Sequence, residues 1–297
     1  MNMQPAAKSL TELERQLVEL PLLPAVVSEV LTLDSGADDY FDRLLHLAER
    51  DPPFAVRVLR SANSASSAPL STIVSLQQAV MRLGTDRCAG LVLALAVIKV
   101  FVPRSGAQRS LWIHSLQTAL LARMFCKVIP TVRCNADQAY LCGLLHDIGR
   151  FVQFEGAPAD LTRIDDMNWA SPQELIEAER KALGYDHSLL GWHACKKWGL
   201  PESIGEVVRR HHEVLSGDAH GPDDLVRVVQ WADKLSVALI MAPDIVAGTA
   251  DEFSRRLYAQ YKSIGPGGES GDVQAWHRHV PEVHSESMRL ARQLKLL

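Results

Sequence analysis

His146 and Asp147 stand side by side in the apolar helical run Ala139-Tyr-Leu-Cys-Gly-Leu-Leu-His-Asp-Ile-Gly-Arg150. An ionised carboxylate facing a core must be paired or metal-bound, because desolvation otherwise drives it to neutralise. On a continuous helix neighbouring side chains point about 100° apart, so the two residues can straddle one ion but cannot share the centre of one face. Gly143, one turn earlier on the Asp147 face, offers no side chain to block a close approach. Taken alone, the dipeptide fits equally a core histidine beside a capping or surface aspartate.

Further histidines and an aspartate interrupt apolar helical patterns elsewhere. His114 lies in Leu111-Trp-Ile-His-Ser, His187 in Gly184-Tyr-Asp-His-Ser-Leu-Leu-Gly191, and Asp233 in Val229-Gln-Trp-Ala-Asp-Lys-Leu-Ser236, while His211 and His212 end a helix that begins near Glu202. Singly each has an ordinary explanation: His114 can bond a backbone carbonyl, and His212 can favour a helix C-terminus through the dipole. Together they supply the mixed imidazole and carboxylate donors that suit iron or manganese first, and zinc or nickel next. Calcium would want more oxygens. Seven donors are enough for one or two ions, with Asp147 between a pair. Two ions about 3.5–4 Å apart activate a bridging water and stabilise phosphoryl oxygens, so the chemistry indicated is phosphate-ester hydrolysis.

The elements that must position these residues read as helices throughout. Helical periodicity marks residues 12–20, 24–33, 40–47, 73–83, 87–102 and 110–129. It continues over 137–154 as one helix carrying His146, then 171–183, 187–198, 202–212, 224–241, 251–261 and 272–297. Asp38 or Asp39 is placed to cap the helix with Tyr40, prolines 52 and 53 open the next, and Gly84 ends the one after it. A serine- and alanine-rich loop over 61–71, a turn over 212–222 and a glycine-rich loop over 265–271 separate elements. No period-two alternation or Asn-Gly hairpin signal occurs, which gives an all-α fold. The connector over 103–108 is polar and contains Pro103 and Gly106. It marks a boundary, giving a tail over 1–14, a helical module over 15–107, a metal-binding helical module over 108–245 and a helical extension over 246–297.

Composition narrows the class. The chain has 297 residues, 47% hydrophobic, with a net charge of -4, so it lacks the global positive field of a nucleic-acid binder. The longest apolar run, over 88–102, is shorter than a membrane span and carries Lys99. No secretory leader pattern opens the chain, and the five cysteines form no Cys-x-x-Cys pair, so they read as reduced core residues of a cytoplasmic protein. His277, His279 and His284 are interrupted by Pro281 and read as a solvated helix.

The order His114, His146-Asp147, His187, His211-His212, Asp233 resembles the metal-ligand pattern of HD-superfamily phosphohydrolases, above all the HD-GYP branch that cleaves cyclic di-GMP. The upstream module resembles the HDOD signal-output domains of the same superfamily. That likeness rests on Leu20-Pro-Leu-Leu-Pro24, Asp51-Pro-Pro-Phe-Ala-Val-Arg-Val-Leu-Arg-Ser-Ala-Asn-Ser64, Ser75-Leu-Gln-Gln-Ala-Val-Met-Arg-Leu-Gly84, and Asp186-His-Ser-Leu-Leu-Gly191 followed by Trp198-Gly-Leu-Pro201. It covers residues 15–240 and implies a two-lobed, all-α bacterial signal-transduction protein that works through a signalling protein partner or a phosphate-containing or nucleotide ligand. HDOD domains are regulatory rather than catalytic, often because part of the metal set is missing. Here the set is complete. Departures from the HD-GYP pattern lie elsewhere: no Gly-Tyr-Pro follows His211-His212-Glu213, Ser110 stands where some of that branch carry a glutamate ligand, and Arg150 replaces a common lysine. If the chain is a hydrolase, Asp147 and Arg150 are its catalytic candidates, Arg150 either meeting a phosphate or forming a surface salt bridge.

Overall fold

The computed structural model describes positions 15, 17, 18, 20, 21, 24–33, 37–50, 52–63, 73–167, 171–213, 223–260 and 276–297, and among them there are helices and no strand. Of the loop read over 61–71, Ser61 and Ala62 instead end a helix and the part from 64 on lies outside the described residues, as do the loop over 265–271, most of the turn over 212–222 and the start of the segment over 272–297. The chain forms two compact units, one of Pro103–Ala291 with the described residues up to Leu20, the other of Pro21–Val102 with Arg292–Leu297.

The smaller unit contains α1 (Ala25–Leu31), α2 (Tyr40–Glu49), α3 (Pro52–Ala62), α4 (Leu76–Leu83) and α5 (Thr85–Val100). Helix α5 is buried from Cys88 to Val97 and contacts all four others, which explains why its sequence is apolar on every face. Lys99 at its exit lays its ammonium 4.6 Å from the Phe54 ring centre, so the one charge of that run keeps a partner. Asn63 exchanges hydrogen bonds with the backbone of Ile73, accepting at 2.8 Å and donating at 2.8 Å, and so closes the serine- and alanine-rich loop at its base. Asp39 occupies the N-cap position of α2 but its side chain makes no cap hydrogen bond.

The larger unit contains α6 (Gly106–Val128), α7 (Ala136–Leu145), α8 (Ile148–Gly156), α9 (Pro158–Asp165), α10 (Pro172–Leu183), α11 (His187–Lys197), α12 (Glu202–Arg210), α13 (Asp224–Met241), α14 (Ala250–Gln260) and α15 (Val280–Gln293) as far as Ala291. Helix α6 starts inside the connector, because Ser105 and Gln108 cap each other reciprocally at 3.1 Å. Ser171 accepts from the Glu174 amide at 3.2 Å to start α10, and Gly184, at φ 86°, ends it in the left-handed region. Asp186 then accepts from the Leu189 amide at 2.8 Å, which makes His187 the first residue of α11.

The single helix expected over 137–154 is two. Helix α7 stops at Leu145, Asp147 takes φ -97° and ψ 17°, and α8 starts at Ile148. Two glycines flank the break. A Cβ on Gly143 would stand 2.8 Å from the Ala119 backbone of α6, and one on Gly149 would stand 1.9 Å from the His187 carbonyl oxygen. Gly143 therefore serves the α6–α7 contact, and Gly149 brings the start of α8 onto the start of α11.

The cysteines correct a second expectation. Cys126 and Cys134 are joined in a disulfide, with Cα atoms 6.1 Å apart, because the connector between α6 and α7 returns the chain to the last turn of α6. Cys88, Cys142 and Cys195 are free and buried, as read.

Glycine to alanine in a helix ordinarily stabilises by about 0.5–1 kcal/mol. At Gly143 and Gly149 the sign is reversed, since the new methyl meets backbone that cannot rotate away. Gly143→Ala is expected to lower unfolding free energy by about 1–3 kcal/mol and Gly149→Ala by at least as much, measured by urea denaturation.

Candidate metal centre

Every residue of the expected donor set converges in the larger unit. His114 comes from α6, His146 and Asp147 from the α7–α8 break, His187 from the first residue of α11, His211 and His212 from the turn after α12, and Asp233 from the middle of α13. The break is what makes the meeting possible, because it aims the Asp147 carboxylate between two histidine groups. One oxygen, Oδ1, lies 3.4 Å from Nε2 of His187 and 3.5 Å from Nε2 of His211. The other, Oδ2, lies 3.6 Å from Nε2 of His146 and 3.8 Å from Nε2 of His114. Two half-sites result, Asp147–His187–His211–His212 and His114–His146–Asp147. Asp233 joins the second, 3.2 Å from His114 Nε2 and 3.9 Å from His146 Nε2, and its other oxygen reaches His212 at 4.0 Å.

Four of the five rings are fixed from outside. Nδ1 of His146 donates to the Gly143 carbonyl at 2.8 Å, that of His211 to the Val208 carbonyl at 2.8 Å, that of His187 to Glu179 at 2.7 Å, and that of His114 to Ser236 at 3.0 Å. Each neutral ring is thereby left with its Nε2 lone pair turned inward. Those lone pairs face one another at 3.2 Å (His114 and His146) and 3.3 Å (His187 and His211), and His212 Nε2 stands 3.1 Å from His187 Nε2. Such contacts are repulsive unless a cation or a proton lies between them. Ligand nitrogens about 2.0–2.1 Å from one ion, at angles of roughly 90–110°, stand about 2.9–3.4 Å apart. The observed spacings fall in that interval, so the donors fit a transition ion in each half-site.

The electrostatics agree. Asp147 and Asp233 are held well below the usual carboxylate range; burial alone would raise them, and the surrounding histidines outweigh it. Burial lowers His146 to about 4, and it carries His212 well below the ordinary imidazole value. His114 and His187 are instead raised, because Asp233 and Glu179 respectively overcome the effect of burial.

Glu179 was not singled out from the sequence. It is fully buried, and one carboxylate oxygen accepts from both the main-chain amide (2.8 Å) and Nδ1 (2.7 Å) of His187. The signal was present: Leu175, Glu179 and Leu183 form the buried stripe of α10, and a glutamate in such a stripe needs a partner. Arg150, read as meeting a phosphate or forming a surface salt bridge, makes an ion pair that is not at the surface. It is buried and pairs with Asp165 of α9 at 2.5 Å, with Glu179 and Asp147 also holding its charge. Ser110 is exposed and outside the centre. His284 bonds Gln117 and His277 packs on Phe253, so neither of these belongs to the cluster.

The family model described as HDOD domain matches residues 20–214. An HDOD domain protein from Geobacter sulfurreducens superposes with a TM-score of 0.70 at 22% identity, covering 95% of this chain and 97% of that one. A candidate phosphohydrolase from Shewanella amazonensis SB2B gives 0.69 at 24% identity, covering 95% and 98%. A candidate signal transduction protein from Marinobacter aquaeolei VT8 gives 0.70 at 19%, covering 99% and 67%. A protein of Treponema pallidum (strain Nichols) is 23% identical over 220 residues, 72% of this chain, which spans 42% of that relative's length. At these identities the structural likenesses establish a shared fold.

Two measurements test the centre itself. Glu179→Ala frees the His187 ring, and transition-metal affinity at the half-site containing His187 is expected to fall about 10- to 100-fold in chelator competition, with the His114 half-site unchanged. Asp233 and Glu179 raise His114 and His187, and a metal binds only the unprotonated Nε2, so protons compete with the ion and apparent affinity should rise with pH. Calorimetry in two buffers of different ionisation enthalpy reads the proton count.

Proposed function

This chain belongs to the HDOD domain family, and from that premise we propose that it is a bacterial signal-transduction output protein that holds two transition-metal ions and acts by binding a signalling protein partner. The observation that carries the metal reading is the Asp147 carboxylate, whose two oxygens serve two separate histidine groups with inward-facing Nε2 atoms. Imidazole and carboxylate donors in this ratio favour iron or manganese, with zinc and nickel compatible.

The regulatory reading is supported by Arg150. A phosphohydrolase needs cations free to orient its substrate's phosphate, and here the arginine one turn beyond His146 is buried and spent on Asp165. Cytoplasmic placement belongs to the same reading; among the described residues no helix is long and apolar enough to cross a membrane.

A second reading, metal-dependent hydrolysis of a nucleotide or cyclic dinucleotide ester, is favoured by the completeness of the donor set. His114, Asp147, Asp233 and His212 each keep about a tenth of their side-chain surface exposed, so one edge of the cluster is reachable. A bound ion pair supplies Lewis-acid polarisation of a phosphoryl oxygen and a lowered pKa for water. In that reaction Asp147 would hold the pair together, and the outer partners of the histidines would keep their tautomers fixed.

Anaerobically purified protein is expected to contain two transition ions per chain by elemental analysis, and Asp147→Ala to contain neither. The loaded protein should not turn over cyclic dinucleotides or simple phosphate esters. Turnover lost in Asp147→Ala would establish the hydrolase instead, and well under one ion per chain would overturn both readings.

A further inference from the structure

His114 is connected, through two fully buried polar side chains, to the C-terminal helix. Nδ1 of His114 lies 3.0 Å from Ser236 Oγ, Ser236 Oγ lies 3.1 Å from Gln117 Oε1, and Gln117 Nε2 lies 2.9 Å from His284 Nδ1 and 3.3 Å from Ser287 Oγ on α15. The direction of every bond can be assigned. Ser287 gives its hydroxyl hydrogen to the His284 carbonyl at 2.7 Å, so its oxygen accepts from the Gln117 amide. The second amide hydrogen goes to His284 Nδ1 at 2.9 Å, which must accept it because an amide nitrogen only donates. Gln117 Oε1 therefore faces Ser236 and accepts from it. Ser236 has one hydrogen and gives it to Gln117 Oε1 at 3.1 Å, the nearer acceptor, with the His114 carbonyl at 3.3 Å. Its oxygen is left to accept from His114 Nδ1, and a neutral His114 then presents its Nε2 lone pair to the centre.

Gln117, Ser236 and Ser287 are each wholly buried, and Gln117 is one of five polar residues, with His114, Ser115, Thr118 and Arg123, on the buried surface of α6. Burying a primary amide is costly unless it is hydrogen-bonded, and here both amide hydrogens and the oxygen have partners. Gln117 lies between the metal centre and α15, touching both.

We infer that α15 is the element through which the metal centre is read: occupancy of the half-site formed by His114, His146 and Asp147 is linked to docking of α15 by the path Ser236–Gln117–His284. This deepens the metal-binding reading and rests on it. A cation at His114 Nε2 makes Nδ1–H a stronger donor, which strengthens each following bond in a chain of aligned dipoles. The linkage is reciprocal, so an undocked α15 must weaken metal binding at His114 by the factor by which metal favours docking. Ser236 and Gln117 are positioning residues, and His284 is the contact on the reading element.

The test uses the full chain, with Mn²⁺ as titrant and hydrogen exchange of residues 280–291 as readout. In the wild type, adding Mn²⁺ is expected to slow exchange of α15 about 10-fold. Ser236→Ala and His284→Ala should abolish that metal-dependent change and weaken Mn²⁺ at the His114 half-site about 10-fold, with the half-site containing His187 unaffected. His284→Asn, whose Oδ1 replaces Nδ1 as acceptor, should restore both. A purely structural role for His284 would raise α15 exchange equally with and without metal and leave affinity untouched, and that result overturns the linkage. So does a wild type that binds two ions with no change in α15. A wild type that binds none overturns the metal reading itself, and this inference with it.

Discussion

One carboxylate with its two oxygens committed in opposite directions organises the larger unit. Asp147 is 7% exposed and has histidine nitrogens on both sides. A residue inside a continuous helix presents its side chain to one face only, so this placement requires the chain to stop being helical at Asp147 and start again at Ile148. The break in turn demands that backbone, not side chains, fill the space around it. Gly143 and Gly149 meet that demand, one against Ala119 and the other against His187. The topology follows: α6, α11, the turn after α12, and α13 each bring one or two donors to the same junction.

Such a centre is expensive for the fold. Asp147, Asp233 and Glu179 bring three carboxylates into low dielectric, and Arg150 is the cation that lies among Asp147, Glu179 and Asp165. The same carboxylates raise His114 and His187, through Asp233 and Glu179 respectively, against the effect of burial. Polar bonding outside the ring nitrogens then does more than orient. It fixes which nitrogen is free, and so decides whether the same five imidazoles form a metal site or a network of hydrogen bonds among themselves.

Much of this was legible in the sequence, for a physical reason. Burying His or Asp in an apolar helix is costly enough to be rare, so His114, His146, Asp147, His187, His211, His212 and Asp233 stood out by type and setting alone. The helical class was equally plain from periodicity. The break between α7 and α8 was not, since neither His nor Asp stops a helix by local propensity and the cause lies in tertiary contacts of Gly143 and Gly149. Arg150 looked like a surface charge because its partner, Asp165, sits on α9, a helix that the periodicity did not mark. Glu179, Gln117 and Ser236 were visible as polar residues on buried stripes, but only distances give them their partners. The Cys126–Cys134 disulfide depends on where the α6–α7 connector turns, which spacing alone does not fix.

The two half-sites differ in donors, and the difference bears on what the centre can do. One offers three imidazoles and a carboxylate oxygen; the other offers two imidazoles and two carboxylates. Each therefore brings four protein donors when Asp147 is shared. An ion that prefers four-coordination is saturated by such a set and becomes a structural element, as closed sites are. An ion that prefers six keeps two positions open on the edge where His114, Asp147, Asp233 and His212 retain some exposure. The metal chosen thus decides whether the centre can meet a phosphate-bearing ligand or only hold its helices together. With Arg150 turned inward, no cation of the α8 helix is placed to bind that ligand, so any affinity must come from the ions and from the small number of side chains along the open edge.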